Sequence, residues 1–213
     1  MQGSELKRLV EVIDTLRSAS GCPWYHEQTH VSLAPYVIEE AHELVEAIEA
    51  GDGPEMLGEL GDVLLQVVLH SRLAQEDADA PFGLEDVARA SADKLIERNP
   101  HVFGDATVAD ADEVRARYEA VKARTMSRAS VLDGVPVALP ALQRAQKVLG
   151  RAERAGVAHA SVDGIGGELL ALVARARAEG IDAEAALRDA VRAVEADVRG
   201  AESDVTRRSS RRT

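Results

Sequence analysis

The sequence predicts an all-α protein organised as an antiparallel helical bundle, and three observations carry that reading. Apolar residues recur with a period near 3.6, and no convincing period-2 stretch interrupts them. Apolar residues make up 46 % of the chain but aromatics only 3 %, and the apolar set is mostly Ala, Val and Leu, which suits helix-on-helix packing better than sheet. Gly and Pro clusters punctuate the periodic segments at their ends.

In chain order, Glu5 to Ser18 reads as a first helix with Leu6, Leu9, Val10 and Ile13 on one face. Ser20 to Pro35 reads as a loop because it holds Gly21, Pro23 and the polar run Glu27-Gln28-Thr29-His30. Tyr36 to Ala50 is a second helix, ended by the stop-and-restart signal Gly51-Asp52-Gly53-Pro54. Glu55 to about Asp77 is a third helix, and Leu84 to Arg98 a fourth, stopped by Asn99-Pro100. A fifth is expected from Asp110 to Met126. Ser127 to Pro140 reads as a linker, followed by helices over Leu142 to Ala155, Glu168 to Glu179 and Ala183 to Arg199. The last of these has Leu187, Val191, Val194 and Val198 at the 4-3-4 spacing of a narrow packing seam. Thr206 to Thr213, with four arginines among serines, reads as a disordered tail.

Bulk properties narrow the function. A length of 213 residues suits one large domain, or a domain with a smaller appendage. The formal charge is −12, from 25 basic and 37 acidic residues, which argues against nucleic acid as a bulk partner. A small polyanion remains possible if a cation or a local basic pair meets its phosphates. Cys22 is alone, so neither a disulfide framework nor a cysteine metal cluster forms within one chain. No apolar run reaches the roughly 20 residues of a membrane span, and residues 1–14 carry no signal-type apolar region. A cytoplasmic location is the expectation.

The chemistry concentrates in Glu39-Glu40-x-x-Glu43 on the second helix and Glu59-x-x-Asp62 on the third. At about 100° per residue, Glu39, Glu40, Glu43 and Glu46 fall on one side of the second helix. Val37, Ala41, Leu44, Val45 and Ile48 then turn towards the core. On the third helix, Glu55, Glu59, Asp62, Gln66 and His70 share a face, opposite Leu57, Leu60, Leu64, Val68 and Ser71. The short turn at Gly51–Pro54 makes the two helices antiparallel neighbours, so their carboxylates can converge. Two like charges 4 Å apart repel by about 4 kcal/mol at an effective dielectric near 20, so such a set calls for a cation. An all-oxygen set suits Mg²⁺ or Mn²⁺ rather than zinc. The plain alternative is a non-catalytic helical adaptor with a solvated acidic face. Against it, Glu59 and Asp62 sit inside an apolar stretch, and Gly58 and Gly61, unfavourable in a helix, make sense as close-approach positions. A di-iron carboxylate bundle needs Glu-x-x-His on each of two facing helices; of the two acidic motifs here only Glu39 to His42 has it, and Glu59-x-x-Asp62 supplies no second histidine. Lys94 and Arg98, four residues apart, project together and either clamp phosphate or form a solvated pair. Trp24, the only tryptophan, either stacks on a base or caps the core.

At these residues the chain resembles the MazG family of nucleoside triphosphate pyrophosphohydrolases, within the all-α NTP pyrophosphatase superfamily. The resemblance rests on Cys22-Pro23-Trp24, Gln28-Thr29-His30, the two acidic pairs, the run from Lys94 to Phe103, and Leu132-Asp133-Gly134-Val135-Pro136 with Leu139-Pro140-Ala141-Leu142. It implies that Glu40, Glu43, Glu59 and Asp62 bind Mg²⁺, for which Mn²⁺ can substitute, while Glu39 positions or deprotonates a water. It also implies that Lys94, Arg98, Trp24 and Gln28 meet a nucleoside triphosphate, which is cleaved to monophosphate and pyrophosphate. Tyr25 and Asn99 stand where the family commonly has Asp and His.

Full-length relatives of this kind carry two copies of the helical unit. Residues 141–204 resemble the end of a second copy that has lost its acidic helix and its Lys/Arg pair. The expected organisation is therefore a catalytic domain over 1–126, a linker over 127–140, a degenerate repeat over 141–204 and a basic tail over 205–213. The degenerate repeat is expected to bury apolar faces or to mediate assembly of a homodimer.

Overall fold

The structure is a computed structural model that describes residues 5–104, 110, 113, 114, 117 and 129–210. All regular structure among them is helical. The helices are α1 (Glu5–Arg17), α2 (Pro23–Glu27), α3 (His30–Ala50), α4 (Gly53–Ala74), α5 (Leu84–Arg98), α6 (Pro100–Phe103), α7 (Ala141–Arg154), α8 (Gly164–Ala178) and α9 (Ala183–Ser210). None is long and apolar enough to cross a membrane. The chain divides into two compact units, residues 1–122 and 123–213. The helix expected over Asp110 to Met126 lies outside the described residues apart from isolated positions.

In the first unit, the segment expected to be a loop up to Pro35 is helical from His30. The cause is a capping box: Ser32 N–H donates to Thr29 Oγ1 at 3.1 Å, and Thr29 N–H donates to Ser32 Oγ at 2.9 Å. That cap starts the helix ahead of Pro35, which α3 accommodates inside its run. At the far end Gly51 adopts φ 68°, the left-handed conformation that closes a helix and that glycine enters without strain. Asp52 then caps α4 by accepting the Glu55 N–H at 3.1 Å. Two residues therefore reverse the chain, and α3 and α4 pack side by side along their length.

The core of this unit is Ile13, Leu33, Val68, Leu69 and Leu73, with Leu9, Val10, Leu16, Tyr25, Leu65 and Leu84 packed against it. It lies at the base of the α3–α4 hairpin, where the start of α3 and the end of α4 meet α1 and α2. Towards the tip the expectation of a buried apolar face fails. Val37, Ile48, Leu57, Leu60 and Leu64 are exposed, Leu57 by 75 %, and only Ala47 is buried there. A Cβ added at Gly58 or Gly61 would meet nothing within 4 Å, so among the described residues none makes the close approach those glycines permit. Among the described residues, the packing of α1 and α2 falls on the start of α3 and the end of α4, not on these positions.

Polar contacts lock that base. Arg17, whose side chain is only 8 % exposed, donates to the backbone carbonyls of Tyr25 and Gln28 and pairs with Glu76 at 2.8 Å. Arg72 reaches back to Asp14 at 2.7 Å and also pairs with Glu76 at 2.9 Å. Hydrogen bonding from Arg17 is the main cause that holds the Glu76 carboxyl below its usual 4.5.

In the second unit, the segment expected to be a linker is tied down from residue 129 onward. Asp133 accepts the Ala129 and Ser130 N–H groups at 2.9 Å, and Arg151 of α7 donates to the Val131 and Asp133 carbonyls. Gln146 bridges α7 to the start of α9 by donating to Ile181 O and accepting from Ala183 N–H. Among the described residues, Val173 and Ala152 are its buried apolar side chains. The last helix does not stop at Gly200 but runs to Ser210. A single glycine costs about 1 kcal/mol, too little to end a helix whose neighbours on both sides favour it. The seam residues Leu187, Val191, Val194 and Val198 are all exposed.

Replacing Arg17 with Met keeps the stem and removes the guanidinium, which takes a donor from the Tyr25 and Gln28 carbonyls and leaves Glu76 with Arg72 alone. The expected loss is about 2–3 kcal/mol of unfolding free energy in urea. A depressed carboxylate pKa contributes stability above the ordinary value and loses it as pH falls through the folded-state value. The gap between native and variant should therefore narrow below pH 4.5, and a gap that widens there would contradict the assignment.

Candidate metal centre

The α3–α4 hairpin brings Glu40 and Glu43 opposite Glu59, and one carboxylate oxygen from each lies within 4.8 Å of the others. Glu43 precedes the Gly51 turn by about two helical turns and Glu59 follows it by about the same, so antiparallel packing puts them level. Asp62 and Glu39 stand close enough to act on Glu40 as charged neighbours. Burial raises the Glu40 pKa first, and the charges of Asp62, Glu43, Glu59 and Glu39 raise it further. Burial is likewise the leading cause at Glu59, followed by the charges of Glu43, Glu55 and Asp62. Glu59 Oε2 is buried without a hydrogen-bond donor.

Crowded acids with an oxygen atom lacking a donor fit a hard cation. All the donors are carboxylate oxygens, the ligand type of Mg²⁺ and Mn²⁺. Among the described residues this is the one group of three or more acids, histidines or cysteines so arranged.

The other sequence candidates lie on neighbouring elements. Trp24 of α2 is 46 % exposed and packs edge-on against Tyr25 and Tyr36, with ring centroids 5.0 and 6.2 Å away. Both ends of the Gln28 amide are engaged: Nε2 donates to Trp24 O at 2.9 Å, and Oε1 accepts from Ser32 Oγ at 2.7 Å. Lys94 is exposed and Arg98 half-buried, one turn apart near the end of α5, whose earlier residues Leu84 and Val87 pack towards α4.

One arrangement was not legible beforehand. His30 Nδ1 of α3 lies 2.7 Å from His70 Nδ1 of α4, with the rings stacked at 5.0 Å. The sequence places Gln66 and His70 on the acidic face of α4, but the pairing with His30, 40 positions away, needs the hairpin.

An all-helical unit whose central hairpin gathers acids into one oxygen-only cluster defines the class: a carboxylate-bearing helical protein suited to a divalent cation. Comparison with known proteins narrows it. Residues 28–103 match the MazG nucleotide pyrophosphohydrolase domain. The chain is 46 % identical to the uncharacterized 26.1 kDa protein in blaB 3'region of Streptomyces cacaoi, over 95 % of this chain and 84 % of that one. It is 41 % identical to the nucleoside triphosphate pyrophosphohydrolase of Escherichia coli K12, over 72 % of this chain and 59 % of that one. The corresponding figures for the Mycobacterium tuberculosis H37Rv protein of the same description are 40 %, 89 % and 56 %. The chain thus spans less than two thirds of the length of these two named enzymes. A solved mazG-related protein from Thermotoga maritima superposes with a TM-score of 0.46 and 26 % identity, over 55 % of this chain and 98 % of that one. The chain belongs to the MazG family.

Mg²⁺ at a hundredfold excess over its dissociation constant should stabilise the protein by about 2.7 kcal/mol. For a chain of this size that raises Tm by about 5–10 °C, readable by differential scanning fluorimetry. Glu59→Gln should abolish the shift. Because the Glu59 pKa is raised, its charged form opposes folding, and that penalty grows as pH rises above 4.5. Metal-free Glu59→Gln should therefore be at least as stable as the native chain at pH 7, with the difference vanishing below pH 4.5.

Proposed function

We propose that this chain hydrolyses nucleoside triphosphates to the monophosphate and pyrophosphate with a divalent cation, Mg²⁺ or Mn²⁺, serving to clear surplus or damaged nucleotides inside the cell. The observation that carries the reading is the convergence of Glu40, Glu43 and Glu59, with Glu59 Oε2 buried and lacking a donor. Membership of the MazG family, and the activity named for its relatives in Escherichia coli and Mycobacterium tuberculosis, support it.

In this reading Glu40, Glu43, Glu59 and Asp62 hold the cation. When bound, such a cation supplies neutralisation of the phosphates and Lewis acidity. Glu39, exposed beside Glu40, takes the proton of the attacking water. The water oxygen bonds to the α-phosphorus, the bond from that phosphorus to the bridging oxygen breaks, and pyrophosphate leaves with the electron pair. Lys94 and Arg98 meet the phosphates as cationic donors, Arg98 in bidentate fashion. Trp24 offers an exposed ring for the substrate, and Gln28 holds Trp24 in place through the Trp24 carbonyl.

Residues 141–204 serve assembly rather than chemistry in this proposal. The working unit is a homodimer, which would cover the exposed Leu57, Leu60 and Leu64 and use the open space at Gly58 and Gly61. Light scattering should give a dimer, and Leu57→Glu should shift it to monomer. A monomeric native chain would overturn this assignment.

The activity is tested with the common NTPs and dNTPs plus dUTP and ITP, with and without Mg²⁺, resolving pyrophosphate from orthophosphate. Mg²⁺-dependent pyrophosphate release is expected, reduced about a hundredfold or more by Glu43→Gln and by Asp62→Asn. Absence of turnover on every nucleotide would favour the helical adaptor with a solvated acidic face.

A further inference from the structure

Beyond the carboxylates, the acidic face of α4 continues into an apolar cavity of about 360 Å³. Val37 of α3, Val63 and Val67 of α4 and Val87 of α5 wall it, and Gln66 and His70 also line it. Gln66 is only 8 % exposed, and its Oε1 is buried with no hydrogen-bond partner. His70 Nε2 is in the same condition. Buried polar atoms in folded proteins are nearly always satisfied, and two orphans lining one apolar space are therefore informative. A core with no ligand to meet would be better served there by Leu and Phe.

The His30 contact sharpens this. With the two Nδ1 atoms 2.7 Å apart, one proton lies between them, so the Nδ1 of His70 is spoken for. Burial and the neighbouring His30 both push the His70 pKa down, which keeps the ring neutral and leaves Nε2 as its remaining polar atom. The cavity thus offers an amide, with one donor and one acceptor side by side, together with one imidazole nitrogen. Aliphatic walls with a few polar groups suit a flat heterocycle that carries alternating donors and acceptors on its edge. A nucleobase has that chemistry, and a Gln amide is a standard bidentate partner for one.

Position agrees with composition. Gln66 lies one helical turn beyond Asp62 and His70 two turns beyond, roughly 6 and 12 Å along the axis. A nucleotide with its phosphates at the carboxylates would extend its base along this face.

We propose that this cavity is the nucleobase subsite of the chain, with Gln66 and His70 reading the edge of the base, an assignment that rests on the nucleotide reading given above. The full-length chain is compared with Gln66→Leu on two substrates, the preferred nucleoside triphosphate and base-free ribose 5-triphosphate. The variant should lose about tenfold or more in kcat/KM on the nucleotide, mainly through KM, and change its ranking of bases. Turnover of ribose 5-triphosphate should stay within about twofold, because no base is there to be read. Equal losses on both substrates, or an unchanged ranking of bases, would overturn the subsite. So would a change of oligomeric state in place of a change in ranking, which would make the cavity an assembly surface. The Mg²⁺-induced melting shift verifies that the variant is folded; if it is not, Gln66→Glu, which keeps the size and removes the amide donors, takes its place. Calorimetric titration with adenosine, guanosine, cytidine and uridine monophosphates separates the two readings. Binding that Gln66→Leu abolishes, in a native chain that hydrolyses nothing, would sustain the subsite and sink the reaction. Hydrolysis with base selectivity untouched by the variant would do the reverse, and neither binding nor hydrolysis would remove both.

Discussion

Like charges held together are the constraint on which the first unit turns. Glu40, Glu43 and Glu59 place carboxylate oxygens within 4.8 Å of one another, and Asp62 and Glu39 add to the crowding. Left to themselves, acids so placed would drive the two helices apart. They stay level because the chain reverses through two residues, a left-handed Gly51 and a capping Asp52, and because the base of the hairpin is buried. The repulsion is therefore stored by the scaffold, and a bound cation would relieve it, which couples ligand binding to stability.

What resists the repulsion sits at the opposite end. Arg17 ties α1 to the carbonyls of Tyr25 and Gln28 and to Glu76, while Arg72 joins the same acid to Asp14. Around these pairs Ile13, Leu33, Val68, Leu69 and Leu73 form the buried cluster. A hairpin clamped at its base and projecting at its tip lets charged and apolar surfaces coexist on the same two helices. The acids and the uncovered leucines of α4 both belong to the projecting part.

The second unit has a different balance. Its ordered turn over residues 129–140 is held by Asp133 and Arg151, and its long last helix leaves Leu187, Val191, Val194 and Val198 exposed. Helices in water gain most of their stability from packing an amphipathic face, and here that face lies open among the described residues. The two units differ in what they expose: the first gathers carboxylates on one hairpin, the second an apolar seam on its last helix.

The sequence by itself determined the helical class, the reversal at Gly51-Asp52, and the faces on which Glu40, Glu43, Glu59 and Asp62 stand. These depend on periodicity and on turn chemistry, which act within a few residues. The MazG family was legible for the same reason, since its motifs are short and contiguous. The start of α3 is hidden in the sequence because Pro35 is a conspicuous breaker, whereas the Thr29–Ser32 cap that overrides it is a weak signal in a polar run. The exposure of Leu57, Leu60 and Leu64 was not legible either: periodicity marks an apolar face but not whether anything in the same chain reaches it. Only the tertiary structure decided that His30 meets His70, that Gln66 closes an apolar cavity without a partner, and that Arg17 is the buried hub. Each joins residues from different helices, and the energy of such a contact exists only once the helices have packed.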